Sequence, residues 1–553
     1  MAPTNITSFP VEILVQITSY LTMPDYGAFR LSCRQIEESV FRSFAHSYFR
    51  QMQFMRTDFS LQALIGISKS RLSPFVKHVF IGTEILDPGL CHNPVPGDVY
   101  PRRGGGQRSV SAMEIRYNIY NTMCANQVML LSTGHDQQML AEAFSNLKLE
   151  TVGIRSHAVY GSIPINLPMS FGTSKIFKET AVELRSSGSW STRDDTKANA
   201  SCVFSVLNAL AKSTSRPKRF ETIMGGPLLG DDAFIIPIFM EKDVLPVMAK
   251  FESLDLKLHG SSSRYRRIIY PIGKTPYSID TYYLRKFLSH LTHLERLCLK
   301  FSYNYDGFFN WLGSQPSNEV YKGPSGFEPP SSPAFTCLRE IDLTKCKIPI
   351  HDMLNMIRKF SKTLRKLSLH DMTLTEDSLP HDYDQDVDDD DEPKTNLWAQ
   401  FVSQLARIDC ELNEVSFRDP AQPTGHRLRY LRFGDDISSS PHFTYAGPFV
   451  RERLETLSSN IRFSPVCNCH RHRVPNDELT ESEIASDEMD DSLDETDGDF
   501  DDMDEYDDYD EDYGYHPGFD PFYDEVDEVD EELAAEMQER EMFLAALLQG
   551  AGG

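Results

Sequence analysis

The sequence lacks any long run of apolar residues. The longest run, AFIIPIFM at 233–240, is interrupted by Pro237 and is far shorter than the roughly 18 residues that a membrane-spanning helix needs. The opening segment MAPTNITSFP also lacks the basic and apolar regions of a secretory signal peptide. These absences predict a soluble protein of the cytosol or nucleus with no membrane partner.

Cysteines are few and scattered, ten in 553 residues, so we expect free thiols in a reducing compartment. The densest group is CNCHRH, which places Cys467, Cys469, His470 and His472 close together. A structural zinc site usually needs a second pair of ligands further along the chain, and none follows this group. We therefore predict no bound metal or cofactor, and a metal-dependent interaction module remains an alternative.

Catalytic motifs are also lacking. The phosphate-binding loop G-x-x-x-x-G-K-S/T, the dinucleotide motif G-x-G-x-x-G, the metalloprotease motif H-E-x-x-H and the hydrolase motif G-x-S-x-G do not occur. The glycine-rich segment RRGGGQR at 102–108 lacks the Lys-Ser/Thr pair of a phosphate-binding loop. We predict a protein that is not an enzyme and that does not act on nucleic acid.

Charge is distributed unevenly along the chain. Residues 475–553 contain 32 Asp and Glu against Arg540 alone, a net charge of −31, so the remaining chain carries +4 of the total of −27. A second run, 376–392, holds ten acidic residues and no Lys or Arg. The sequence therefore describes a mildly basic body that carries two acidic segments.

Residues 475–553 are too charged and too poor in aliphatic side chains to form a core, which predicts a disordered acidic tail. An amphipathic pattern predicts one short helix near its end, at 524–549. Composition favours a solubilising arm. Two other roles stay open: binding of basic partners such as histones, and an intramolecular cover over the basic body.

Eight short segments between these ends share the spacing L-x-x-L-x-L, which is typical of strand–helix units that stack on one another. The segments are VKHVFI, LETVGI, FESLDL, LERLCL, LREIDL, LRKLSL, LNEVSF and LRYLRF, beginning at 76, 149, 251, 294, 338, 364, 412 and 428. RFETIM at 219–224 is a candidate degenerate unit. We predict an irregular, leucine-rich-repeat-like α/β solenoid over 51–465. Its Pro-, Gly- or Asp-rich loops are 92–109, 313–333 and 376–395.

Side chains in such a strand alternate between core and solvent, so the residues between the apolar positions form one exposed face. These residues include Asp255, Lys257, Arg296, Cys298, Lys300, Asp342, His370 and Arg418. The set is mixed but mainly basic, which suggests an acidic or phosphorylated target. The alternative is a solvated face without a ligand.

The stretch FPVEILVQITSYLTMPDYGAFRLSCR at 9–34 opens a predicted helical region that ends near residue 49. Ser8 is the expected N-cap of its first helix. Apolar residues Ile13, Leu14, Ile17, Tyr20 and Leu21 recur at helical spacing. Three short helices cannot bury much surface alone. We therefore expect these apolar residues to pack either against a partner protein or against the chain's own solenoid.

The ordered set Phe9-Pro10-x-Glu12-Ile13-Leu14-x-x-Ile17, Ser19-Tyr20-Leu21, Pro24-Asp25, Leu31 and Cys33-Arg34 resembles an F-box over residues 8–50. The resemblance implies three helices that bind the Skp-type adaptor of a cullin ubiquitin ligase. By this resemblance, the residues expected to contact the adaptor are Pro10, Ile13, Leu14, Ile17, Leu21 and Leu31. An F-box followed by leucine-rich-like repeats is similar to an architecture of fungal F-box proteins.

The resemblance implies a substrate-recognition subunit of an SCF-type (Skp adaptor, cullin, F-box) E3 ubiquitin ligase. Its α/β fold would comprise an N-terminal three-helix F-box, the solenoid and the disordered acidic tail. The alternative is a scaffold or chaperone-like interaction protein that uses the tail to bind basic partners.

Overall fold

Helices and strands alternate along the chain in a computed structural model. It describes residues 6–88, 108–156, 170–182, 184, 192–224, 228–259, 281–301, 307–316, 330–376, 395–424, 427–434 and 440–464. The predicted acidic tail and the cysteine–histidine group at 467–472 lie outside the described residues. The predicted loops at 92–109 and 376–395 lie almost wholly outside them, and 313–333 lies partly outside.

The described residues form fourteen α-helices. They are α1 Val11–Thr18, α2 Met23–Leu31, α3 Arg34–Phe49, α4 Asp58–Lys69, α5 Arg108–Ser132, α6 His135–Ser145, α7 Thr173–Thr180, α8 Thr192–Lys212, α9 Ile238–Met248, α10 Tyr282–Ser289, α11 Phe308–Gly313, α12 Ile350–Phe360, α13 Leu397–Arg407 and α14 Val450–Ser458. Among them, no helix combines the length and hydropathy that crossing a membrane requires.

Fifteen strands lie between these helices. They are β1 Gln51–Phe54, β2 His78–Gly82, β3 Thr151–Arg155, β4 Arg219–Ile223, β5 Ser253–Leu258, β6 Arg296–Phe301, β7 Glu340–Thr344, β8 Lys347–Pro349, β9 Lys366–His370, β10 Thr373–Thr375, β11 Glu414–Arg418, β12 Ala421–Thr424, β13 Arg427–Phe433, β14 His442–Ala446 and β15 Ile461–Phe463. The fold is therefore mixed α/β, as the sequence predicted.

Ten strands build one long sheet in the order β1-β2-β3-β4-β5-β6-β7-β9-β11-β14, which follows the chain. Neighbouring strands are parallel except β14, which is antiparallel to β11. A smaller sheet has the order β15-β13-β12-β10-β8. Parallel neighbours need crossover connections, and helices supply them here.

The apolar spacing read from the sequence sets the register of the long sheet. The second apolar residue of each segment lies opposite its counterpart in the next strand, from Val79 through Val152, Phe220, Leu254, Leu297, Ile341 and Leu367 to Val415. Each of these side chains is at most 1% exposed. Seven of the eight predicted segments, and the degenerate unit at 219–224, are thus confirmed as strands of this sheet.

The eighth segment, LRYLRF, does not belong to the long sheet. It forms β13 of the smaller sheet, antiparallel to β12 and β15. Its first apolar residue, Leu428, is 43% exposed, whereas Leu364 at the same position of LRKLSL is fully buried. The spacing alone was misleading because the chain reverses between β12 and β13, which pair antiparallel, and Leu428 is left partly in solvent.

Three strands of the long sheet end in the same tight turn. Lys345, Asp371 and Asp419 directly follow β7, β9 and β11, and their φ angles are +57°, +51° and +48°. Such left-handed residues reverse the backbone sharply. The chain then enters β8, β10 or β12, so the smaller sheet borders the carboxyl ends of these strands.

The helices pack on one face of the long sheet. In α12, Met353, Met356, Ile357 and Phe360 recur every three or four residues and are buried. They share one core cluster with the inward residues of the strands, such as Leu367. The opposite face is also covered over β1–β3, where Gln53 and Phe80 are at most 5% exposed, but strands from β4 onward carry partly exposed polar side chains there.

The N-terminal helices depart from their predicted bounds. Helix α1 begins at Val11 with Pro10 at its N-cap, so Ser8 is not the cap as predicted; it lies in a 3₁₀ turn instead. The helix ends at Thr18, so Tyr20 and Leu21 fall beyond it. The stripe read as one helix is therefore divided between a helix and the turn that follows.

A half-buried lysine on α12, Lys359, gives a pH-dependent prediction. Burial lowers the pKa of Lys359 to about 8, although its amine donates to the carbonyl of Leu312 at 2.9 Å. The unfolded chain therefore binds more protons than the folded chain above about pH 8, so folding stability should rise with pH up to about pH 10. We expect the difference in urea midpoint between the parent and Lys359→Met to shift in favour of the parent from pH 7.5 to 9.5. A constant difference would contradict the lowered pKa of Lys359.

Candidate functional site

The partly exposed face of the long sheet carries three rows of side chains, because its parallel strands are in register. The N-terminal row is Arg219, Ser253, Arg296, Glu340, Lys366 and Glu414. The middle row is Glu221, Asp255, Cys298, Asp342, Ser368 and Ser416. The C-terminal row is Lys257, Lys300, Thr344, His370 and Arg418.

The N-terminal row is largely neutralised by ion pairs between adjacent strands. Arg296 Nε lies 3.5 Å from a carboxylate oxygen of Glu340, and Lys366 Nζ lies 2.7 Å from one of Glu414. All four side chains are between one third and one half exposed, so each pair contributes at most about 1 kcal/mol to stability. These pairs leave little net charge for a ligand.

The middle row is acidic and partly buried. Burial, reinforced by the neighbouring Asp255, raises the pKa of Glu221. Burial also raises the pKa of Asp255, although a hydrogen bond with the Cys298 side chain acts in the opposite direction. The pKa of the Cys298 thiol is raised far above its ordinary value by burial and by the nearby carboxylates. This thiol is therefore protonated at neutral pH and is unsuited to act as a nucleophile.

The C-terminal row is basic. Burial lowers the pKa of Lys257, and the adjacent Lys300 lowers it further. Lys257 Nζ donates to the carbonyl of Met224 at 3.0 Å. Within the described residues, Lys300 and Arg418 form no ion pair, and Nδ1 of His370 is buried without a hydrogen-bond partner. This row can therefore accept an anionic ligand.

A shallow depression of about 240 Å³ lies over β6, β7, β9, β11 and β14. Polar side chains of all three rows line it, including Arg296, Asp342, Lys366 and His370. Such an open, polar surface suits an extended protein segment better than an enclosed small molecule.

The structure brings all seven predicted substrate-binding residues to this one face. They are Asp255 and Lys257 on β5, Arg296 and Lys300 on β6, Asp342 on β7, His370 on β9 and Arg418 on β11. The mainly basic character expected from sequence is confined to the C-terminal row. Sequence reasoning missed the acidic residue Glu221 and the paired Glu340 and Glu414, because pairing between strands cannot be read along one segment.

A second candidate surface lies on α1 and α2. Of the predicted adaptor contacts, Pro10, Ile13 and Leu31 are exposed, and Ile17 and Leu21 are half-buried. Leu14 is only 1% exposed, so its assignment to the contact surface is corrected: it lies on the inner side of α1, within the core.

Sequence reasoning missed further exposed apolar side chains in the same region. Phe9 is 40%, Val11 47% and Tyr20 81% exposed. The N-terminal apolar surface is defined here as Phe9, Pro10, Val11, Ile13, Tyr20 and Leu31. The sequence does hold a signal for these residues: segment 9–21 contains more apolar residues than one face of a short helix can bury, so some of them must be exposed or contact a partner.

Polar and aromatic contacts fix the three N-terminal helices to the rest of the fold. The Glu37 carboxylate pairs with Arg30, which is 1% exposed, at 3.3 Å, and also pairs with Arg71 beyond α4. The Phe41 ring meets that of Phe75 edge-on at 5.8 Å. The guanidinium of Arg71 stacks over Phe41 at 4.0 Å. The helices are therefore held against the segment that leads into β2.

In the part of the chain that the structure describes, no three His, Cys, Asp or Glu side chains lie close enough together to hold a metal ion. A scan against protein-family models found no match, and a search of curated proteins also found none.

Proposed function

We propose that this chain is the substrate-recognition subunit of an SCF-type E3 ubiquitin ligase, with residues 8–50 as the F-box. The observation that carries the proposal is the exposure of the N-terminal apolar surface. Five of its side chains are between 40% and 81% exposed, in a region of only 23 residues. Burying such side chains against a partner contributes about 25 cal/mol per Å² of apolar area. A partner groove for amphipathic helices fits this surface.

The long sheet supports a leucine-rich-repeat-like solenoid as the second part of the proposal. Its strands follow the chain in order and in parallel, so each unit contacts its neighbours. The stretch Leu338-x-x-Ile341-x-Leu343-x-x-Cys346-x-Ile348 fits the longer repeat pattern L-x-x-L-x-L-x-x-N/C-x-L. All five of these side chains are at most 3% exposed, as a repeat core requires.

The mechanism follows from these two surfaces. The N-terminal apolar surface binds the Skp-type adaptor and, through it, a cullin. The face of the long sheet binds a target protein, and its basic C-terminal row suits an acidic or phosphorylated one. The chain then performs no bond chemistry itself; it raises the effective concentration of the target's lysines at the ubiquitin-loaded enzyme.

A pull-down tests this proposal. The full chain is compared with a Pro10→Ala, Ile13→Ala double variant, and adaptor and cullin are measured in the bound fraction. We expect at least about a tenfold loss of both from the double variant, since the loss of apolar contacts at an interface core costs about 1–2 kcal/mol or more. Ile115→Ala is the matched control, because Ile115 is 57% exposed on α5, outside the F-box region.

Each outcome of the pull-down is informative. Adaptor binding that is equal in the parent and the double variant would disprove the assigned surface. Absence of the adaptor from the parent would disprove the F-box assignment itself.

The alternative function is a scaffold or chaperone-like protein for basic partners. The 32 acidic residues of 475–553 favour it, because such a segment attracts cationic proteins. Adaptor bound without cullin, or no accumulation of targets when the protein is removed, would favour this alternative.

A further inference from the structure

The two edges of the long sheet differ in how they are paired. At the first edge, β1 bonds to a crossing segment: the N–H of Phe171 donates to the carbonyl of Gln53 at 2.8 Å, and the N–H of Met55 donates to the carbonyl of Phe171 at 3.5 Å. At the last edge, β14 pairs with β11 on one side only. Within the described residues, the other side of β14 meets no strand beyond a single bridge between Ser440 and Phe433. This side of β14 is therefore an open edge.

The backbone of β14 alternates between groups that face β11 and groups that face away from it. The N–H of Asp419, directly after β11, donates to the carbonyl of Pro441, directly before β14, at 3.0 Å. Bonded residues alternate with unbonded ones in an antiparallel pair, so the residues of β14 that bond to β11 are Phe443 and Tyr445. The backbone groups of the other residues of β14 point outward.

The outward residues are His442, Thr444 and Ala446, and all three are exposed. The N–H of His442 donates to Ser440 Oγ at 3.0 Å. In the part of the chain that the structure describes, the N–H groups of Thr444 and Ala446 have no hydrogen-bond partner. Such a row of unpaired backbone groups is a template for pairing with another extended chain.

The sequence of β14 also lacks the residues that usually protect an edge strand. Its five residues, HFTYA, include no Lys, Arg, Asp, Glu or Pro. The edge strands of the smaller sheet, β8 and β15, have only three residues each. Pro441 and Pro448 lie just outside β14 and limit the open edge to the strand itself. A short extended segment therefore fits this edge.

The side chains of β14 determine which sequence fits beside it. Phe443 and Tyr445 are half-buried on the helix-covered face, where the Phe443 ring stacks on that of Phe417 at 6.1 Å. Thr444 lies on the other face, with its Oγ1 3.1 Å from Ser416 Oγ, and lines the shallow depression. An added strand places alternate residues beside each of these two sets. It therefore needs apolar residues alternating with polar ones.

We propose that the open edge of β14 binds an extended segment of another protein as an eleventh strand of the long sheet. The apolar residues of the segment lie beside Phe443 and Tyr445, and its polar residues lie beside Thr444 at the depression. A second copy of this chain is disfavoured as the occupant, because each copy carries a net charge of −27 and the two repel each other. The docking stands without the proposed function; only the identification of the segment with a ubiquitination target rests on it.

Selection from a peptide library, with the full-length protein as bait, tests the docking. The library holds uncharged peptides in which Val, Ile, Phe or Tyr alternates with Ser, Thr, Asn or Gln. A second library holds the same residues in scrambled order. We expect alternating peptides to be enriched at least about tenfold over scrambled ones, because only alternation presents one apolar side to the edge.

Two substitutions at one position separate backbone pairing from side-chain contact. Thr444→Pro removes an outward N–H and leaves the bonds to β11 intact, whereas the matched control Thr444→Ala keeps that N–H. The selected peptides should bind Thr444→Pro at least about tenfold more weakly than Thr444→Ala. Ala446→Pro should act like Thr444→Pro, and urea unfolding checks that each variant is folded.

Amide hydrogen exchange of the parent gives a result that needs no variant. A selected peptide should slow exchange of the Thr444 and Ala446 amides at least about tenfold, whereas β11 protects those of Phe443 and Tyr445 with or without peptide. Three results would overturn the proposal: no enrichment of alternating peptides, equal binding to Thr444→Pro and Thr444→Ala, or dimers of the parent that Thr444→Pro abolishes. The last would show that a second copy occupies the edge.

Discussion

Replacing Asp136 with asparagine should lower the free energy of unfolding by about 3–5 kcal/mol, because it leaves a buried arginine without its counter-charge. Asp136 on α6 is 1% exposed and lies 3.9 Å from Arg56, which is fully buried. The guanidinium of Arg56 donates to Ser201 Oγ at 3.0 Å and to the carbonyl of Ala198 at 3.2 Å. These neutral acceptors orient Arg56 but cannot neutralise it.

The same helix provides the control. Glu142 pairs with Lys69, and both side chains are about half exposed, so Glu142→Gln should change stability by less than about 1 kcal/mol. Urea unfolding followed by circular dichroism measures both variants. Equal effects of Asp136→Asn and Glu142→Gln would show that burial does not govern the strength of these pairs.

Replacing Leu364 with alanine should cost about 2–5 kcal/mol, whereas Leu428→Ala should cost well under 1 kcal/mol. Both leucines occupy the first position of an L-x-x-L-x-L segment. Leu364 lies between α12 and β9 in the chain and is fully buried in the core cluster, so its removal leaves a cavity. Leu428 is 43% exposed on β13 and leaves none.

The urea midpoints of these two variants show whether the repeat pattern or the tertiary environment of the leucine sets the loss of stability. Because the substitution and the motif position are identical, only the tertiary environment differs between them. A large loss of stability for Leu428→Ala would mean that β13 packs as an ordinary unit of the long sheet, against the arrangement described here.

The candidate site was predicted in part. Alternation along a strand was enough to place Asp255, Lys257 and Lys300 on one exposed face, since side chains of a strand alternate strictly. It could not separate the rows, because which residues stand side by side depends on the register between strands. Arg155, at the end of β3, was not predicted at all, since it directly follows the segment LETVGI and its burial arises from residues far away in the chain, such as Gln53 and Phe80.

The N-terminal helices were also predicted only in part. Helical spacing predicted three helices within residues 9–49, and three were found. It did not predict that Leu14 points inward while Tyr20 stands in solvent, because the end of α1 at Thr18 breaks the periodicity. The contact between Glu37 and Arg71 joins residues 34 positions apart, and local periodicity carries no information about it.

The sequence by itself determined the α/β class, seven of the repeat strands and the degenerate strand, because the hydrophobic effect acts on local apolar patterns. The tertiary structure alone decided which repeated segment leaves the long sheet, which charges pair, and which basic side chains remain without an ion pair. The physical reason is that ion pairing and burial depend on distances of a few ångströms between distant segments. Such distances are set when the whole sheet is assembled in register, not by any one segment.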